Sequence, residues 1–259
     1  MRTGSVNYHI HSDERQAYVI DAGGVSGEID SPKHDVRQVT LRDVKSQEAD
    51  VSFEQDGVGF MRVPSREQTF SGSKDWIAGY DQELASLLAS QIGAKECVVF
   101  DHTVREDDPA STRRPARNVH SDYSPDGAQQ RLIDILGEDR AAEWRAGHFG
   151  FINVWRPVGQ PINSAPLGFV RPSSTSEGDW ILIDLVYPDR RGHIMGLVAN
   201  EAHEWIYAAK MEPEELVFFN IFDSKGLPSV AHSAVDLVED PSVTTIRKSI
   251  ESRTLVRYS

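Results

Sequence analysis

A single cysteine, Cys97, stands in a chain of 259 residues. No disulfide can form within the chain, so nothing in the sequence calls for an oxidising compartment. Cys97 lies in the apolar run Glu96-Cys97-Val98-Val99-Phe100 and reads as a small buried hydrophobe. No apolar stretch approaches the roughly 18 residues that a membrane span requires. Met1-Arg2-Thr3-Gly4 lacks the apolar core of a signal peptide, and a cytoplasmic protein is the expectation. Positive charge is scarce: 27 Lys plus Arg stand against 40 Asp plus Glu, a net −13. That balance argues against a nucleic-acid partner, whose phosphates demand a basic footprint, and against an anionic membrane surface. No Gly-x-Ser-x-Gly elbow is present to support a serine hydrolase.

What is present suits a large core. Hydrophobic residues make up 39% of the chain, enough to bury one unit of this size. Ile77, Tyr80, Leu84, Leu87, Leu88 and Ile92 recur at three- and four-residue spacing and predict a helix over about 74–92. Ser71 or Ser73 is its expected cap and Gly93 its stop. Ser124-Pro125-Asp126 predicts a second helical start, with helical patterning to about Arg145. Strand signals lie at Gln38–Leu41, Gly57–Val63, Cys97–Phe100, Phe149–Trp155, Trp180–Tyr187, Glu204–Ala209, Leu216–Phe222 and Val230–Val235. Many short strands with turn punctuation predict a mostly β protein with flanking helices, an antiparallel sandwich or barrel. We expect one domain over 1–259, with 1–36 as an N-terminal extension and the core over about 37–259.

His120-Ser121-Asp122 is the first chemical signal. On a strand, residues i and i+2 point to one face, so His120 and Asp122 can reach one ion while Ser121 faces away. A second imidazole must come from another strand, and His232, in the β-prone run Val230–Val235, is the candidate. Two imidazoles and a carboxylate on one face of a metal leave the opposite face open, as in non-haem Fe(II) oxygenases. Downstream, Arg247-Lys248-Ser249 offers a guanidinium fork and a hydroxyl, the groups that grip the far carboxylate of a dicarboxylate cosubstrate. Arg253 is the rival anchor, because it too falls at an even spacing from Arg247. His9 and His11 share a strand face but lack an acidic partner nearby. His148, His193 and His203 are isolated.

Several longer runs carry a resemblance. Phe151-Ile152-Asn153-Val154-Trp155-Arg156-Pro157, followed by Pro166-Leu167, resembles the signature of the CmcJ/AsaB-like hydroxylase/desaturase family, which includes gibberellin desaturase. Val99–Arg105, Glu215, Phe222-Asp223-Ser224, Ala231-His232-Ser233-Ala234 and Arg247–Arg253 match in order, over roughly residues 37–257. The chain departs from the family where Gly168-Phe169-Val170-Arg171 replaces an Ala-x-x-Asp continuation. The resemblance implies a double-stranded β-helix (jelly-roll, cupin-like) core and an oxygenase using Fe(II), 2-oxoglutarate and O₂ in specialised metabolism. It implies iron at His120, Asp122 and His232, and 2-oxoglutarate at Arg247 and Ser249.

Arg156, His102, Arg105, Tyr123 and Trp155 are the candidate pocket residues. Arg156, Arg171 and the cluster Arg113, Arg114 and Arg117 hint at a carboxylate-bearing small-molecule substrate. Two other readings keep the scaffold: a cupin-like hydrolase or isomerase using Zn²⁺ or Mn²⁺, and a non-catalytic ligand-binding relative. Arg247-x-Ser249 argues against the first and the intact triad against the second.

Overall fold

The computed structural model describes residues 1–25, 27–237 and 245–258. Among these, the strands of the first half are β1 Arg2–Tyr8, β2 Ala17–Ile20, β3 Ile29–Asp30, β4 Asp35–Asp43, β5 Val58–Arg62, β6 Glu96–Glu106 and β7 His120–Ser121. The second half adds β8 Phe149–Pro157, β9 Leu167–Val170, β10 Trp180–Val186, β11 Arg191–Leu197, β12 Trp205–Tyr207, β13 Glu215–Asp223, β14 His232–Ala234, β15 Asp236–Leu237 and β16 Lys248–Arg257. The α-helices are α1 Phe53–Asp56, α2 Trp76–Ile92, α3 Pro125–Leu136 and α4 Glu138–Arg145. None is long and apolar enough to cross a membrane.

The strands form two sheets. The larger runs β15-β1-β4-β12-β9-β14-β7-β11-β10-β2-β3 and the smaller β5-β13-β8-β16-β6. Their inner faces meet, with Phe169 of β9 packed on Phe219 of β13 at 5.0 Å between ring centroids. This is the double-stranded β-helix core that the sequence led us to expect. β1 pairs along its length with β4 and also with β15, so the segment expected as an extension is woven into the larger sheet.

Coverage of both faces of the smaller sheet explains its composition. All nine residues of β8 are buried, because the larger sheet lies on one face and α2 on the other. A strand buried on both sides reads as a continuous apolar run rather than an alternation. On α2, Tyr80, Leu84, Leu87 and Leu88 form the buried stripe, and they pack with Ile152, Val154, Leu216 and Ile250 of the outer sheet face.

Boundaries depart from expectation in two places. α2 begins at Trp76 after Asp75; Ser73 is not its cap, and its hydroxyl donates instead to the Asp75 carboxylate at 2.7 Å. The helical stretch to Arg145 is broken at Gly137, whose φ of 77° lies in the left-handed half of the map that only glycine enters freely. Elsewhere local chemistry decides as read: Ser124 caps α3 by accepting from Gly127 N–H at 3.0 Å, and Gly93 ends α2 with φ 69°.

Candidate metal centre

The centre is built by register. β7 and β14 are antiparallel neighbours in which His120 lies directly across from His232. Cross-strand partners project to one face, and the two imidazole centroids stand 4.5 Å apart. Asp122 follows immediately after β7 and returns its carboxylate to the same face. Its Oδ1 lies 3.4 Å from His120 Nε2 and 4.0 Å from His232 Nε2. One ligand atom from each residue can be chosen so that all lie within 4.8 Å of one another.

The inner partners fix which atoms would face a metal ion. His120 Nδ1 lies 2.8 Å from the Asn118 carbonyl and His232 Nδ1 3.2 Å from the Val230 carbonyl. A carbonyl only accepts, so Nδ1 must carry the proton in both rings and Nε2 presents its lone pair. Asp122 Oδ2 accepts from Asn153 Nδ2 and from Arg253 Nε, each at 2.9 Å. That leaves Oδ1 free toward the imidazoles. Burial alone would push the Asp122 carboxyl up, but Arg253 and the two imidazoles outweigh it and hold it well below the usual carboxylate range. Burial, reinforced by His120, pushes His232 down to about 4. Both ligands are therefore deprotonated at neutral pH, the state in which they bind a cation.

Beside the triad is a small, partly open cavity lined by His120, His232, Arg105, Trp155, Arg247 and Glu251, with Pro115 and Leu167 at its wall. Arg247 is 3% exposed. Its Nε and Nη1 have no partner among the described residues, and neither has the Ser249 hydroxyl. The guanidinium carbon lies 5.3 Å from a Trp155 ring centroid. Burial, and then the like charge of Arg105, lower its pKa to about 9. A buried cation and a buried hydroxyl without partners are costly unless a ligand completes them. The donor set of the triad suits a divalent cation with open positions, and the orphaned groups suit a carboxylate.

The family description Oxidoreductase/YMDC permease-like domain matches residues 6–257. The chain belongs to this family. Its relatives include the hydroxylase/desaturase efuI of Hormonema carpetanum, 27% identical over 254 residues and covering 86% of this chain and 84% of that protein. The Fe(II)/2-oxoglutarate-dependent dioxygenase nvfI of Aspergillus novofumigatus is 27% identical over 183 residues, covering 68% and 66%. A solved structure of the iron and alpha-ketoglutarate-dependent endoperoxidase NvfI superposes with a TM-score of 0.82 at 21% identity, covering 99% of this chain and 98% of that one. The resemblance to hydroxylase/desaturases drawn from the motifs is borne out, and the structural match shows the jelly-roll fold.

Within this family member, the residues singled out in the sequence divide by strand parity. Trp155 and Arg105 line the cavity. Arg156, next to Trp155, must face the other way. It lies against α2, with its guanidinium carbon 5.5 Å from the Tyr80 ring centroid. His102 is on that outer face too, 2.8 Å from both Ser252 and Asp81. The expectation that Arg156 and His102 reach the pocket is corrected on this ground. Arg253 is not an open anchor, since it holds Asp122 and also bonds Asp101 at 2.7 Å. Tyr123 packs on Phe151 at 5.0 Å between centroids, and burial, then the Asp122 charge, push its hydroxyl up to about 12.

The other histidines are engaged elsewhere: His148 with Asp223, His193 with Asp184, His203 with Asp179. His9 is fully buried against Gly196.

Two residues that sequence reasoning passed over belong to the centre. Asn153 donates to Asp122 and also to Glu251, at 2.8 Å. Glu251 in turn faces Arg253 at 3.4 Å and Arg105 at 3.5 Å. Even spacing was the available signal. Asn153 is two residues from Trp155, and Glu251 stands between Ser249 and Arg253 on one strand face.

Proposed function

We propose that the protein is a non-haem Fe(II)- and 2-oxoglutarate-dependent oxygenase that hydroxylates or desaturates a small molecule. The observation that carries this is the pairing of two features in one cavity: a His120, Asp122 and His232 cluster with one free carboxylate oxygen, and an Arg247 without a carboxylate partner among the described residues. A cupin-like hydrolase has a use for the first and none for the second. His120, Asp122 and His232 would hold the iron, and Arg247 with Ser249 the distal carboxylate of 2-oxoglutarate. When bound, these supply the oxidising chemistry: 2-oxoglutarate and O₂ become succinate and CO₂, and a substrate C–H bond is oxidised.

The protein's own work is positional. Asn153 and Arg253 occupy Asp122 Oδ2, so the carboxylate offers a single oxygen and keeps its charge. The backbone carbonyls of Asn118 and Val230 orient the imidazoles. Trp155, Pro115 and Leu167 exclude water around the cosubstrate. Two of the five arginines that hinted at an acidic substrate are engaged elsewhere. Arg171 pairs with Asp56 and Glu204, and Arg117 with Asp107 and Asp236. Arg156 faces away. Arg113 and Arg114 have no ion-pair partner among the described residues, so a carboxylate-bearing substrate stays part of the reading. The pairing of β1 with β15 supports the whole chain working as one catalytic unit.

Anaerobic titration of metal-free protein with Fe(II), then 2-oxoglutarate, tests this. A weak visible charge-transfer band in the wild type, lost in His232→Ala, is the expected result. Fe(II) binding with no band on adding 2-oxoglutarate would move the assignment to a metal hydrolase or isomerase.

A further inference from the structure

Two arginines, Arg247 and Arg156, are the most deeply buried among the described residues, at 3% and 2% exposure. Neither has a carboxylate within ion-pair distance among those residues, whereas Arg253, Arg105 and Arg171 each do. A guanidinium does not shed its proton in a protein, so burial leaves a full charge that is expensive without a counter-ion. On the proposed function, the carboxylate of 2-oxoglutarate would answer that charge at Arg247. At Arg156 no carboxylate among the described residues lies within ion-pair distance.

Arg156 lies on the face of the smaller sheet that turns away from the metal centre, between β8 and α2. Nη1 donates to the Val63 carbonyl at 3.3 Å, and the Tyr80 ring supplies a π-face. Nε has no hydrogen-bond partner among the described residues, and the buried Tyr80 hydroxyl lies beside the guanidinium. The guanidinium forms part of the wall of a groove of about 550 Å³ between α2 and the segment that follows β5. The rest of that wall is mixed: Met61, Val63 and Leu87 are apolar, Arg66, Gln82 and Gln91 are polar, and Leu84 and Leu216 are almost fully buried. Glu83 also lines it, but its carboxylate is taken up by the Ser65 hydroxyl at 2.7 Å and by Arg66 N–H at 3.1 Å.

We propose that this groove binds an apolar molecule ending in a carboxylate. The apolar part of the wall takes the hydrocarbon, and the Arg156 guanidinium, which lines the groove, takes the carboxylate. The volume suits a small ligand, and a planar carboxylate matches the guanidinium fork. A neutral alcohol of the same length buries the same apolar area but leaves the charge unanswered. The site is separated from the triad by the thickness of the sheet, so it stands or falls independently of the iron assignment.

The probe is octanoate, with octanol as the neutral comparison, added to the full metal-free chain and followed by titration calorimetry and amide chemical shifts. Octanoate should bind in the millimolar range or tighter, with shifts centred on α2 and residues 61–66, and octanol about tenfold more weakly, the scale of one charge-assisted hydrogen bond. Arg156→Gln should lose the preference for octanoate. Because Arg156 also packs α2, a second variant decides if that one fails to fold. Ser86→Trp, at an exposed position on the groove wall, should block octanoate while leaving Arg156 in place. Equal binding of octanol and octanoate would reduce the groove to an apolar patch. Octanoate binding that survives Ser86→Trp, or no binding at several millimolar, would overturn the proposal.

Discussion

Arg247, just before β16, and Arg253, within it, are alike in sequence, yet the structure gives them different surroundings. Arg253 is the hub of a network that includes Asp122, Asp101 and Glu251. Arg247 has no carboxylate partner among the described residues. Their variants should therefore fail differently. Arg253→Gln removes a hold on Asp122 Oδ2 and should weaken Fe(II) binding by about 10–100-fold, the usual cost of losing an outer-shell partner. Arg247→Ala should leave Fe(II) binding near wild type and raise the 2-oxoglutarate concentration for half-saturation by a similar factor. Separate Fe(II) and 2-oxoglutarate titrations of the two variants check this. If Arg253→Gln instead leaves Fe(II) binding intact and loses 2-oxoglutarate, the two assignments are reversed. The residue types and their even spacing were visible in the sequence. Which arginine meets a carboxylate was not, because Asp101 and Asp122 reach Arg253 only across strand pairings distant in the chain.

The elements of the centre were more legible than their connections. The α2 stripe, the Ser124 cap and most strands show in local pattern, because period and capping are local physics. β7 and β14 are only two and three residues long, too short for periodicity to announce. What makes them a platform is register, and one glycine exposes its tolerance. Gly196 of β11 lies across from His120. A Cβ at Gly196 would come within 2.5 Å of the His9 ring, which is fully buried. Gly196→Ala must push that ring or the strand aside, and overpacking of this kind costs about 1–3 kcal/mol. Chemical denaturation should report that loss. Since the strand that gives way pairs with the one bearing His120, Fe(II) affinity should fall as well. Wild-type stability in Gly196→Ala would mean that His9 has room to move and that the register at His120 is not held by this contact.

At the scale of the molecule, the fold brings together residues that no local signal connects, and it does so by burying titratable groups in a dry interior. That burial sets a pH dependence. In the unfolded chain His232 titrates near the ordinary value of 6.5, whereas in the folded metal-free protein burial and His120 lower it to about 4. Between these values the unfolded state binds a proton that the native state refuses, so stability rises with pH across the window and falls on acidification. His9, pushed down to about 3 first by burial and then by His34, acts in the same direction over a wider range. Asp122 acts in the same direction at lower pH. Its folded value lies below the unfolded one, so the stability it adds is present above about 4 and is lost only at more acidic pH. Denaturant titrations of the metal-free protein at pH 7, 6, 5 and 4.5 should thus show a steady loss. His232→Gln, which keeps the volume without the titration, should flatten the slope by up to one proton, about 1.4 kcal/mol per pH unit at most. Bound Fe(II) should steepen the same decline, because a proton on His232 competes with the ion for Nε2. A His232→Gln profile parallel to wild type would show that this imidazole titrates in the folded state as it does in the unfolded chain, so that burial does not lower its pKa.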